Sequence, residues 1–236
     1  MKDIPIVILN KDRLGPTKML VESLQKRNYT NIIVIDNKSS YEPLLEWYKK
    51  CGAEIYYNKT SRTCTGSFYY LAFEFGIEKF IKIIMERDYV YTDADTVPID
   101  ETPDDFLEDM VEIVNKYQKH KVGMGLKIDD LPDHFYKKNE VIKHESVMWG
   151  QRGEIKGEKM PIYIAATDTT FAVYRKGGKP LLGHHDTGLR TGDPYVCRHV
   201  PWYYDYNNLP DDEKYYILHL DVPWTHWSNH AKEMIK

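Results

Sequence analysis

The chain is short of cysteine, of long apolar runs and of charge concentrated in one sign, and each shortage narrows what it can be. Cys51, Cys64 and Cys197 stand far apart, lack a CxxC spacing and are odd in number, which argues against a disulfide framework. Reduced, mostly buried thiols are expected. The longest early apolar run, Ile4 to Leu9, is too short for a signal-peptide core or a membrane span and has no small-residue cleavage site. The expectation is an intracellular, cytoplasmic protein with no integral membrane segment, and peripheral docking at a membrane surface stays open. With 32 basic and 36 acidic residues spread along the chain and a net charge of -4, there is no basic arm or stripe to track a phosphate backbone. Nucleic acid is not an expected partner. Internal repeats and low-complexity tracts are also lacking.

What is present is enough apolar material for a substantial core, 42% of 236 residues, with 29% charged. "IPIVIL" at residues 4–9 is a β-branched run, and helical spacing at Met19, Leu20 and Leu24 follows it from Pro16 to Arg27. "IIVI" at 32–35 and a helical segment around Leu44 to Lys50, closed by Gly52, repeat the unit. A third strand is predicted at Glu54 to Tyr57, a helix from Phe68 to Phe80 or beyond, and a short strand "YVYT" at 89–92. Continuous apolar strands alternating with helices predict an α/β protein, with a Rossmann-like, mostly parallel sheet and helices on both faces. Ligands of such sheets bind beyond the carboxyl ends of the strands. Asn10, Asp36, Asn58 and Asp93 are each the first polar residue there, so the fold would gather them on one rim.

Beyond that point the character changes. Thr102 to His120 reads as an amphipathic helix, "KVGMGLKI" as a strand, "DDLPDHFYKKN" as a loop and "PIYIAATDTTFAVYRKG" as a hairpin or paired strands. A Gly-rich stretch and the aromatic "RHVPWYYDYNN" follow. The chain contains 19 Tyr and 5 Trp, and such rings form sugar platforms as well as core. One domain over residues 1–236 is expected, with a nucleotide-type half at 1–100 and an irregular acceptor half at 101–236.

"YVYTDADTVP" at 89–98 places Asp93 and Asp95 one residue apart where a buried strand ends. Two like charges there repel and are costly to keep ionised unless a cation shares the site. Mg²⁺ or Mn²⁺ would fill that role, leaving coordination positions for water and the oxygens of a diphosphate. An Asp-x-Asp alone is also common on solvated loops.

"VILNKDR", "VIDNKSSYEPLLEWY", "YVYTDADTVP", "VGMGLKIDDLPDHF", "DTTFAVYR" and "RHVPWY" together resemble a glycosyltransferase of GT-A fold, close to the family 2-like enzymes, over nearly the whole chain. The resemblance implies transfer of a sugar from a UDP-, GDP- or dTDP-sugar to a glycan, a lipid-linked sugar or a protein. It also implies that Asp93 and Asp95 serve the metal and diphosphate, that Asp36 contacts the base or ribose, and that His226 in "PWTHWSNH" is a third metal ligand flanked by Trp224 and Trp227. Asn10 and Arg13 join the nucleotide-binding set. Arg62 is placed in it by a loop, 58–67, that is richer in Thr and Ser than the family leads one to expect.

Such a transfer needs stabilisation of a departing diphosphate and, if inverting, a base for the acceptor hydroxyl. Asp168, amid apolar and small residues in "AATDTTF", is the first candidate for that base, and Asp130 is the second. The alternatives are a turn cap for Asp168 and an ordinary turn for "DDLPD". Arg190, His199, Trp202 and Tyr203 are candidates for the acceptor, or for anchoring the second half. His184 and His185 read as loop residues.

Three other readings compete. A haloacid-dehalogenase-like phosphatase would use Asp93 as nucleophile and Asp95 as acid/base, but its motif ends the first strand of its domain, whereas about three strand-helix units precede it here. A nucleotidyltransferase would need a Gly-rich signature that "NKDRLGPTK" lacks. A non-catalytic sugar-nucleotide-binding protein would have no need of a base.

Overall fold

Alternation of side chains along the first strands decides the layout. β1 (Ile6–Asn10) and β2 (Ile32–Asp36) are buried at every position, as their apolar composition requires of strands covered on both faces. Successive side chains point to opposite faces. Ile6, Ile8, Ile32 and Val34 therefore join one core, and Val7, Leu9, Ile33 and Ile35 join another. α1 (Gly15–Lys26) and α2 (Glu42–Tyr48) cover the first face through Leu20, Leu24, Leu44 and Trp47, each with a proline in its first turn, where the missing N–H costs nothing. β3 (Glu54–Tyr57) forms the edge beside β2. The computed structural model describes residues 2–64, 66–150 (main chain only at 148–150), 153–167, 171–177 and 188–220.

The second face is covered by a broken helix rather than the continuous one expected over 68–80. α3 (Ser67–Tyr69) passes into a π-helical turn at Tyr70–Glu74, in which the Phe75 N–H donates to the Tyr70 carbonyl five residues back at 3.0 Å. Gly76, at φ +67°, then turns the chain into α4 (Glu78–Glu86), using a conformation that glycine adopts at little cost. Phe68, Leu71, Phe80 and Ile84 stay on the second core. β4 (Tyr89–Asp93) returns parallel to β1, with Asp93 opposite Leu9.

The remaining elements are β5 (Thr96–Pro98), α5 (Phe106–Lys116), β6 (Lys121–Leu126), α6 (Lys138–Gly150), β7 (Glu154–Ile155), β8 (Ile162–Ile164), β9 (Ala172–Tyr174), β10 (Leu189–His199), a 3₁₀ turn at Val200–Tyr203 and α7 (Asp211–Leu218). The sheet runs β3-β2-β1-β4-β9-β6-β10-β8-β7, with β5 paired to β10. β1, β2, β3, β4, β6 and β10 point one way, so the fold is α/β with a mixed, largely parallel sheet that passes through both halves of the chain.

The expected hairpin of "PIYIAATDTTFAVYRKG" does not form. β9 is inserted antiparallel between β4 and β6, while β8 pairs with β10 and β7. β9 is buried throughout and satisfies the backbone of two neighbours, a role that a hairpin with β8 would leave unfilled. α6, in a stretch read only in part as loop, was not foreseen.

β10 changes register against β6 between Thr191 and Val196. At Gly192 a Cβ would stand 2.9 Å from Pro161 Cβ and 3.0 Å from Tyr163 Cε2, so glycine alone fits there. Past the bulge β10 pairs with β5 and ends with His199 opposite Thr96, which carries His199 to the strand-end rim. The three thiols are free, with Cys51 and Cys197 buried and Cys64 partly so. No helix among the described residues is long and apolar enough to cross a membrane.

Candidate functional site

Asn10 pairs in register with Asp36, Asp93 lies one position away across β1, and the Asn58 N–H donates to the Asp36 carbonyl at 2.9 Å. The four strand-end residues therefore share a rim. The Asn10 amide donates to the Arg13 carbonyl at 3.1 Å and to the Tyr48 hydroxyl at 2.9 Å, and that hydroxyl donates to Asp36 Oδ2 at 3.0 Å. The Ser39 N–H donates to Asp36 Oδ1 at 2.9 Å. Burial raises the Asp36 pKa, and the bonds from Ser39 and Tyr48 offset only part of that rise. Asn58 is spent on loop structure, donating to Asn37 Oδ1 and to the Arg62 carbonyl, both at 2.8 Å. The Arg62 guanidinium turns to Glu74 at 3.3 Å and over the Tyr70 ring.

Asp12 was missed in the sequence. At φ +56° it turns the chain after β1, and its Oδ1 accepts the N–H groups of Ser40 at 2.6 Å and Tyr41 at 3.0 Å. It ties the first strand-end loop to the second.

The acidic pair has an internal cation. Asp93 ends β4, while Asp95 lies in the turn to β5, 6% exposed, with its carbonyl accepting the Val200 N–H at 2.8 Å. Asp95 Oδ2 bonds Arg13 Nη1 and stands 3.4 Å from His199 Nε2. Arg13 also holds Glu213 of α7 in a two-pronged pair, Nη2–Oε1 at 2.8 Å and Nε–Oε2 at 3.0 Å, with its guanidinium 3.9 Å over the Tyr216 ring. Asp212 accepts the Gly15 N–H at 2.6 Å. Burial works against ionised Asp95, but His199 and Arg13 outweigh it and hold the carboxyl well below the usual range. For Glu213 burial wins over the same guanidinium, and its pKa is raised. Burial likewise pushes the Tyr216 phenol up, against the Arg13 guanidinium over its ring, and the negative charges of Asp95, Glu213 and Asp93 add to the rise.

No family model matches the chain, and no curated protein matches it.

Asp130 accepts from Arg198 Nε at 3.0 Å and from the Tyr203 hydroxyl at 2.5 Å. The placement of Arg190 corrects the expectation of an acceptor contact. It is 1% exposed and closes on Glu145 of α6 at 2.9 Å, because a guanidinium buried between β10 and α6 has to be paired where it stands. Trp202 is also buried, its ring centroid 4.7 Å from that of His199, while Tyr203 is half-buried against Asp130. Asp168, His226, His184, His185, Trp224 and Trp227 lie outside the described residues.

Among the described residues no three His, Cys, Asp or Glu side chains form a metal-holding group. Asp93 and Asp95 offer hard carboxylate oxygens of the kind a divalent cation takes, while Arg13 Nη1, and His199 Nε2 at 3.4 Å, already stand against Asp95 Oδ2. Glu213, Asp212 and Tyr216 were not singled out in the sequence. Their one signal was "PDDE", a proline and acidic residues opening a helix, which reads equally well as a solvated turn.

Proposed function

We propose that the chain is a metal-dependent glycosyltransferase of GT-A type, moving a sugar from a UDP-, GDP- or dTDP-sugar to a carbohydrate-containing acceptor on a glycan, lipid or protein. The observation that carries this reading is the desolvated Asp95 beside Asp93 at the end of a central parallel strand, on the rim shared by Asn10 and Asp36. That is where open α/β sheets bind their ligands.

The reaction breaks the bond between the sugar and the diphosphate, and the departing oxygens gain negative charge. A divalent ion held by Asp93 and Asp95, when bound, supplies positive charge against them. Arg13, already packed on Asp95, extends that positive face, and the His199 ring stands beside the same carboxylate at 3.4 Å. Asn10 and Asp36 line the nucleoside side. Tyr203 and Arg198 keep Asp130 ionised, as an acceptor for sugar hydroxyls on the side formed by residues 101–236. Proton removal from the acceptor hydroxyl is assigned to Asp168. The phosphatase reading loses support because it needs Asp95 to donate a proton, whereas Arg13 and His199 keep that carboxyl ionised.

Calorimetric titration with UDP, GDP and dTDP, each with and without Mn²⁺, on the natural chain and Asp95→Asn tests the proposal. One nucleoside diphosphate is expected to bind in a Mn²⁺-dependent way and to lose that dependence in the variant. No binding of any of them, together with hydrolysis of a generic phosphate ester, would overturn it.

A further inference from the structure

A cleft of about 570 Å³ opens where the loop after β6 runs into the first turn of α6. Its size is that of a small-molecule site, for which about 300–1,000 Å³ is usual. Its lining is not, because such sites are mostly apolar and this one sets Phe135 and Tyr136 among charged groups. The loop is shaped by its own main chain. The Phe135 N–H donates to the Pro132 carbonyl at 3.1 Å, the Lys138 N–H to the Phe135 carbonyl and the Val141 N–H to the Lys137 carbonyl, both at 3.0 Å, while Leu131, Phe135 and Val141 are buried. Two neighbours fix the half-buried Tyr136 ring, Phe135 edge-on with centroids 5.5 Å apart and Tyr206 edge-on at 4.6 Å.

Beside that ring stand two ion pairs, Lys138 with Asp133 at 2.7 Å and Lys137 with Glu140 at 3.4 Å. Two ammonium groups and two carboxylates leave the lining without net charge, so a charged ligand finds no excess of the opposite sign. A hydroxyl donates to a carboxylate and accepts from an ammonium, so a neutral polyol can join each pair without breaking it. The C–H face of a sugar ring packs on an aromatic ring such as that of Tyr136. The cleft is also joined to the strand-end rim. Tyr206 packs on Leu209 and Ile217; burial raises its pKa, Tyr136 and Glu213 add to the rise and Arg13 opposes it, so one ring lies within reach of both the cleft and the Arg13–Glu213 pair. Asp130, bonded to Arg198 and Tyr203, begins the loop that ends at the cleft.

We infer that this cleft is a saccharide subsite, which takes a neutral sugar on the Tyr136 ring and between the two ion pairs. Its place as the outer part of the acceptor site rests on the proposed function, whereas the binding of sugar does not.

The test probes a printed array of neutral and acidic glycans with the chain tetramerised on streptavidin, with no nucleotide or metal added, and titrates each bound glycan against the isotope-labelled chain by nuclear magnetic resonance. The proteins compared are the natural chain, Tyr136→Phe and Tyr136→Ala. The first two are expected to bind the same neutral glycans, with saturable shifts of the main-chain amides at 133–140, and Tyr136→Ala to bind them on the order of tenfold more weakly. Should Tyr136→Ala fail to fold by circular dichroism, Asp133→Asn combined with Glu140→Gln, at two exposed side chains, decides alone, and affinity equal to that of the natural chain is the negative result. Binding of no glycan, of acidic glycans only, or of neutral glycans without movement of the amides at 133–140 would overturn the inference. Nucleoside diphosphate binding in a chain that binds no glycan would remove the subsite and leave the transferase reading. Glycan held at the cleft of a chain indifferent to every nucleoside diphosphate would do the reverse.

Discussion

At the scale of single residues the rim is held by polar groups that satisfy one another before any ligand arrives. Tyr48 shows this most plainly, since its hydroxyl accepts from Asn10 and donates to Asp36, and both partners are buried. Tyr48→Phe would leave one oxygen of a desolvated carboxylate without its donor. A loss of about 1–3 kcal/mol is expected in urea unfolding, the cost of an unsatisfied buried polar group. No loss would mean that water replaces the hydroxyl. The sequence marked Asn10, Asp36 and Asp93 as strand-end polar residues because that property depends only on neighbours in the chain. It could not mark Glu213, whose burial depends on Arg13, 200 positions away.

At the scale of elements, the broken helix over 67–86 is the clearest departure from expectation. Apolar spacing carried the reading straight through Gly76, yet the chain uses a π turn and a positive φ there to seat Phe68 and Phe80 on the same core. A Cβ at position 76 meets no atom within 4 Å, so a substitution there tests backbone strain without a steric clash. Gly76→Ala is expected to cost about 1 kcal/mol and Gly76→Asn less, by chemical denaturation. Equal stability of Gly76→Ala and the natural chain would show that the turn relaxes out of the left-handed region. β8 and β9 follow the same rule: apolar composition announced two strands, but β8 pairs with β10 across 25 positions or more, as at Leu189 and Ile164, and β9 pairs with β4 across as many as 85, at Tyr89 and Tyr174, and no local signal names those partners.

At the scale of the whole molecule, acid stability reflects opposing shifts. Burial alone would raise the Asp130 pKa, but Tyr203 and Arg198 outweigh it and hold the carboxyl below its ordinary value of 3.8. Its contribution to stability is therefore complete above that value and is lost as pH falls through the folded one. Asp95 acts in the same direction. Asp36 and Glu213 act in the other, since burial raises both and their protonation on acidification favours the folded state. Asp130→Asn is expected to flatten the fall of melting temperature below about pH 4, measured by calorimetry across the acid range. A fall as steep as that of the natural chain would mean that Asp130 is equally ionised in the unfolded state.

From the order of residues alone came the α/β class, the strand-end rim and the pairing of Asp93 with Asp95, because periodicity, burial tendency and adjacency are written locally in the chain. The place of β9 between β4 and β6, the bulge that brings His199 to Asp95, and the clamp of Asp95 and Glu213 on Arg13 came from folding in three dimensions. Each joins residues distant in sequence, and the energy that selects such contacts, desolvation balanced against charge pairing and backbone hydrogen bonding, exists only once the segments have met.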